Sequence, residues 1–262
     1  MTRPVTLITG ASAGIGLELA RVFAGHGHEL ALVARREQQL AAFAEMLATG
    51  GRPRPAVLPV DLGRRDAVQQ IGQELSARGL EPQFVVNNAG FGLLGHAAAL
   101  SREEQLAMID INVRTLTELS IAWLDQLTRH RGGLLNVASV AGFLPGPGMA
   151  VYYATKAYVI SFSEALHREL APTGVRVTVL CPGPVPTEFQ ARAGMPDDGS
   201  SMLAISAERV ARAGYRGLMQ GRRMVVPGLG NKAVVALSRL VPREIALGLV
   251  EARLRRRRKS PA

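Results

Sequence analysis

The chain has 262 residues, of which 47% are hydrophobic and one, Cys181, is a cysteine; that length can bury a substantial core, while a lone thiol excludes an internal disulfide and a cysteine-rich zinc site. The net charge of +10 would point to nucleic acid if it were spread over the surface, but six of the positive charges lie in RLRRRRK at residues 253–259 and aromatics are only 5%, so no nucleic-acid partner is expected. The first residues, MTRPVTLITG, run straight into a strand pattern with no leader-like apolar core, and no uncharged stretch reaches the ~18 apolar residues of a spanning helix, so a reducing, cytoplasmic setting is the expectation.

In chain order, VTLIT (5–9), ELALVA (29–34), AVLPV (56–60), FVVN (84–87), LLNVA (134–138), VRVTVL (175–180) and RMVVP (223–227) are near-continuous apolar runs, the pattern of parallel strands covered on both faces. Helical patterns separate them: GLELARVFAGHG, REQQLAAFAEML, RRDAVQQIGQEL, the long segment 102–130, the segment 152–171 that stops at Pro172 and Gly174, and SAERVARAGYRGLM. Strand and helix alternating without a composition break predict an α/β fold, a single doubly wound sheet with right-handed crossovers. This domain should span residues 1–227, with 228–262 as a C-terminal apolar and basic extension.

The first strand runs into TGASAGIG, which contains two motifs. Gly10, Ser12 and Gly14 spell the nucleophile elbow of an acyl hydrolase. Gly10, Gly14 and Gly16 also spell a glycine-rich turn opening a helix, which cradles a pyrophosphate. Chain order favours the second. An elbow follows earlier strands that supply an oxyanion loop, and the last histidine, His167, lies inside a helix rather than on a strand-end loop. In the phosphate reading Gly10 permits the turn, Gly14 lets the backbone approach the phosphates, Gly16 lets the helix pack closely, and the helix N-terminus supplies free N–H groups and positive dipole.

Together with NNAG (87–90), DINV (110–113), a serine at 139, YYATK (152–156) and CPGPVPTEF (181–189), this turn resembles the short-chain dehydrogenase/reductase family over about residues 5–227. The resemblance implies a seven-stranded Rossmann sheet, a nicotinamide cofactor and a homodimer or homotetramer. It makes Ser12 a phosphate-loop hydroxyl, places Ile15 against the cofactor, and assigns Asp61 to the adenine with Leu62 beside it. Asn88 and Gly90 would shape the wall near the nicotinamide ribose, Pro182 and Gly183 would turn the chain after the sixth strand, and Thr187 would reach the carboxamide. At the end of the second strand, where a carboxylate would hold the ribose hydroxyls of NAD, stands Ala34 followed by Arg35 and Arg36. A guanidinium fork there suits a 2′-phosphate, so NADP(H) is preferred over NAD(H).

Hydride exchange with a carbonyl also needs a proton donor. Tyr152 and Lys156 stand four residues apart on one helix face, where the lysine charge is expected to pull the phenol below its ordinary pKa of about 10; Lys156 can also bond the nicotinamide ribose. By resemblance Ser139 polarises the substrate oxygen and Asn112 holds a water that passes protons to Lys156. No metal is expected: His26 and His28 flank a helix end, and His96 and His130 have no partner at ligand spacing. Cys181 reads as a small apolar filler.

The loops after strands four, five and six offer Phe91, Leu93, Phe143, Leu144, Met149, Val185, Phe189, Met195 and Met202, a lining for an apolar ketone, aldehyde or secondary alcohol, with Arg192 as the exception. Two other classes of reading are weaker. A dinucleotide-binding sensor has no reason to carry Asn112, Ser139, Tyr152 and Lys156 together, and a sugar-nucleotide epimerase has no room for its larger substrate domain. In the extension, two apolar stretches around Pro242 precede the basic run; the plain reading is a core-docked or subunit-contacting helix with a solvated tail, the sharper one a peripheral contact with anionic lipid.

Overall fold

Each apolar run forms a strand, and neighbouring residues on a strand supply opposite faces of the sheet. The computed structural model describes residues 2–195, 203–238 and 240–259, the last seven by backbone alone. Its strands are β1 (Arg3–Thr9), β2 (Leu30–Val33), β3 (Ala56–Leu58), β4 (Leu80–Asn87), β5 (Gly133–Val137), β6 (Arg176–Leu180) and β7 (Met224–Val225), all parallel in the order β3-β2-β1-β4-β5-β6-β7. This is a single seven-stranded Rossmann sheet.

The helices are α1 (Gly14–Gly25), α2 (Glu37–Thr49), α3 (Ala67–Ala77), α4 (Arg102–Ile109), α5 (Leu116–Ile121), α6 (Leu124–Arg129), α7 (Ala150–Glu169), α8 (Glu188–Arg192), α9 (Ala207–Met219), α10 (Leu229–Ser238) and α11 (Arg243–Lys259). On one face of the sheet Leu30, Leu32, Phe84 and Val86 pack against Leu19 and Phe23 of α1, Leu40 of α2 and Val210 of α9. On the other, Ala31, Val33 and Val85 pack against Ile71 of α3, Leu119 of α5, Leu127 of α6 and Leu166 of α7. The alternation follows from the two-residue period of a strand.

The expected long helix over 102–130 is divided. One turn of π-helix, Asp110–Thr115, separates α4 from α5, and Trp123 leaves helical geometry before α6. The apolar period is continuous there, so the division was not visible in it. Between α5, α7 and the sheet runs a buried polar network: the Asn87 amide donates to Asn136 Oδ1 at 2.9 Å and to Ser120 Oγ at 3.0 Å, and the Asn136 amide donates to Ser163 Oγ at 3.0 Å. These bonds fix the ends of β4 and β5. The sequence order reverses between β1 and β4, so a crevice must open at the carboxyl edge of the sheet.

Candidate active site

That crevice is a cleft of about 880 Å³. It brings together every catalytic and cofactor residue expected from the sequence except Gly16 and Asn112, which stand just behind its wall. At one end lies the turn from β1 into α1. Gly10 and Gly14 have φ of +65° and +55°, the left-handed region that a Cβ disfavours. A Cβ on Gly16 would collide with the Gly10 carbonyl oxygen, so the helix can start only beneath a bare backbone. Asn88 braces the turn from β4: its amide donates to Thr9 O at 2.9 Å and Gly10 O at 3.3 Å, while its own N–H donates to Thr9 Oγ1 at 3.0 Å. The α1 N-terminus has no side-chain cap, leaving its N–H groups directed at the cleft. Bare glycines, free donors and positive dipole fit a dinucleotide pyrophosphate.

Beyond the turn, Ala34, Arg35, Asp61 and Leu62 line the cleft. Asp61 Oδ1 accepts from Gly63 N at 3.0 Å. Arg36 is the more engaged of the two arginines: its Nε and Nη2 donate to Ser12 Oγ at 3.2 and 3.1 Å, and its Nη1 pairs with Glu188 at 2.8 Å. This guanidinium ties the glycine turn to α8. The sequence reading noted Arg36 but had no signal for Glu188, whose partner is remote along the chain. Thr187 caps α8 in a reciprocal capping box with Gln190, and its methyl group lies 3.1 Å from where a Cβ on Gly14 would stand.

Ser139, Tyr152 and Lys156 line the other half of the cleft. Ser139 ends the loop after β5, where its Oγ accepts from Ala141 N at 3.1 Å and donates to Pro182 O at 3.4 Å. Tyr152 and Lys156 project from the first turns of α7, with Nζ 5.9 Å from the phenol ring centre and donating to Val137 O at 2.9 Å. Both are almost fully enclosed. Burial pushes the Tyr152 phenol up to about 12, against the lowering effect of its hydrogen bond with Ser139, and burial brings the Lys156 ammonium down to about 8. The expected lowering of Tyr152 is therefore reversed: loss of water outweighs the hydrogen bond with Ser139.

Asn112 sits in the π-turn, 1% exposed. Its Oδ1 accepts from Phe91 N at 3.1 Å, and its Nδ2 donates to Phe91 O at 3.0 Å and Thr155 Oγ1 at 3.1 Å. A Cβ on Gly90 would come within 2.8 Å of Asn112 Oδ1 and 3.5 Å of Lys156 Nζ, so a side chain there would crowd both. Tyr153 also lines the cleft; its ring lies over Gly146, with its plane 75° from that of the Tyr152 ring.

Of the expected apolar lining, Phe91, Leu144, Met149, Val185, Phe189 and Met195 face the cleft; Leu93 and Phe143 pack behind it, and Met202 lies outside the described residues. Arg192 reaches the rim with its guanidinium 4.4 Å from the Phe91 ring centre. The extension contributes residues that sequence reasoning missed: Val234 and Val250 line the cleft, and Asn231, 2% exposed, donates to Pro227 O at 3.0 Å and occupies the space a side chain on Gly183 would take. His26 and His28 pack on Tyr215 rather than facing the cleft. Cys181 is enclosed beneath Lys156, its thiol pushed up to about 12 by burial.

Comparison with known proteins bears on this arrangement. The short chain dehydrogenase family profile matches residues 4–197. Sulfoacetaldehyde reductase 2 of Chromohalobacter salexigens is 40% identical over 188 residues, covering 71% of this chain and 74% of that protein. The NADP-dependent 3-hydroxy acid dehydrogenase YdfG of Salmonella typhi is 37% identical, with 71% and 74% covered. Among solved structures, a short-chain dehydrogenase from Sphingobium yanoikuyae in complex with NADPH superposes with a TM-score of 0.79 at 33% identity, covering 87% of this chain and 89% of that one.

Proposed function

This chain belongs to the short-chain dehydrogenase/reductase family, and from that premise we propose an NADP(H)-dependent reductase of apolar ketones and aldehydes, with Tyr152 as general acid. That it is a nicotinamide-dependent oxidoreductase of hydroxyl and carbonyl groups follows from the family. The observation that carries the finer reading is the enclosure of Tyr152, Ser139 and Lys156 against an apolar wall.

A bound nicotinamide supplies the hydride. Ser139 orients the substrate oxygen, while Tyr152, which holds its proton at neutral pH, donates it to that oxygen. Lys156, charged below about pH 8, stabilises the phenolate left behind and is positioned by Val137 O. Asn112 holds the loop at Phe91 beside Lys156, where a water would return a proton to the lysine. Arg35 and Arg36 are the groups for a 2′-phosphate; the NADP dependence printed for YdfG and the NADPH bound to the Sphingobium protein support this choice. In oligomers the exposed Leu106, Ile109 and Ile121 of α4 and α5 supply a subunit contact.

Fluorescence titration should give tighter binding of NADPH than of NADH, and Ala34→Asp with Arg35→Ala should invert the order; equal affinities in the unmodified protein would sink the preference. A carbonyl panel then tests the substrate. Long-chain ketones should be turned over faster than sulfoacetaldehyde. The opposite order would favour a second reading, motivated by Arg192 at the rim and by the anionic substrates that the relatives' names imply.

A further inference from the structure

α10, α11 and the turn between them bury one apolar stripe and display another. Asn231, Val235 and Ala246 are enclosed, and Val234 and Val250 face the cleft. On the outside, Leu229 is 84% exposed, Leu237 56%, Leu240 80%, Ile245 55% and Leu249 65%. Leu229 and Leu237 stand eight apart and Ile245 and Leu249 four apart, so each pair shares a helix face. Isolated exposed leucines need no explanation, but a concentration of them in one segment marks a surface that something covers.

Charge identifies the cover. Residues 228–262 hold nine Lys and Arg against two Glu, and six of the nine fall within 253–259, where the chain continues as helix. We infer that this extension is a docking surface for an anionic lipid bilayer, its leucines entering the boundary of headgroups and acyl chains while the basic run binds the headgroups. A symmetric contact with a second copy would bring two such runs together, which like-charge repulsion opposes. Nucleic acid satisfies the cations but offers no apolar phase to the leucines. The same helices line the substrate cleft with Val234 and Val250, so a lipid-dissolved carbonyl can pass from the bilayer to the site beneath them. This last step rests on the proposed reductase function; the docking does not.

The full chain should sediment with vesicles of phosphatidylglycerol and phosphatidylcholine, and bind vesicles of phosphatidylcholine alone at least about tenfold more weakly. R255Q/R256Q/R257Q/R258Q and, separately, L237S/L240S/L249S should each weaken binding to the anionic vesicles by about tenfold or more, with NADPH affinity and reduction of a water-soluble ketone retained. Both variants should reduce a long-chain ketone dissolved in the vesicles more slowly than the unmodified chain. Failure of the unmodified chain to sediment, or unchanged binding by either variant, would overturn the docking surface. So would a leucine variant that binds vesicles normally but falls from oligomer to monomer on gel filtration, which would assign the face to a second copy. Absence of any ketone turnover, with docking intact, would count against the reductase reading alone.

Discussion

Lys156 and Tyr152 show how burial reverses a rule that spacing supports. Four residues apart on α7, they promise a lysine-lowered phenol, yet the site holds the phenol up near 12 and the ammonium down near 8. Their identities were legible in YYATK; their ionisation depends on walls contributed by β5, β6 and the loops above them. A consequence is testable by pH. Lys156 carries its charge below about pH 8 and loses it above, so kcat/KM for NADPH at saturating ketone, which reports the free enzyme, should decline as pH rises through about 8. A flat profile to the ordinary lysine range near 10.4 would contradict the assignment. Arg36 makes a similar point. Its position after the second strand was readable, but its bridge from Ser12 to Glu188 joins residues far apart in sequence, and no local pattern encodes that.

At the scale of elements, the glycine turn was the most readable feature because each glycine answers a local constraint. Gly16 is the sharpest case, since an added methyl meets the Gly10 carbonyl and the Asn88 amide with no room to move. Gly16→Ala should lower stability by about 1–3 kcal/mol, the range for overpacking, and abolish tight NADPH binding; unchanged Tm and affinity would show that the turn is looser than described. The π-turn at Asp110–Thr115 lay hidden. Its signal is one polar residue, Asn112, held inward by Phe91 and Thr155, and a hydrophobic period cannot report a bond to another element. Such turns often mark functional positions in helices, so an enclosed asparagine in a long amphipathic segment was the available clue.

For the whole molecule, a doubly covered parallel sheet follows from the apolar runs and could be reasoned from the chain alone; the order of its strands, whose reversal between β1 and β4 places the cleft, is written in no one segment. The closure of the cleft by Val234 and Val250 is not legible there either, because the extension's route back over the site depends on the packing of Asn231 against Gly183. Among the described residues no helix is long and apolar enough to cross a membrane. The account's central claim is that this fold delivers the Tyr152 proton to a carbonyl oxygen, and the most direct measurement is single-turnover ketone reduction by enzyme loaded with NADPH. Tyr152→Phe keeps the ring that packs 5.4 Å from Phe189 and removes only the donor. It should slow reduction by at least ~10²-fold with NADPH affinity retained, while Tyr153→Phe keeps most activity. Normal reduction by Tyr152→Phe, or equal loss in both variants at the same folded fraction, would contradict the mechanism.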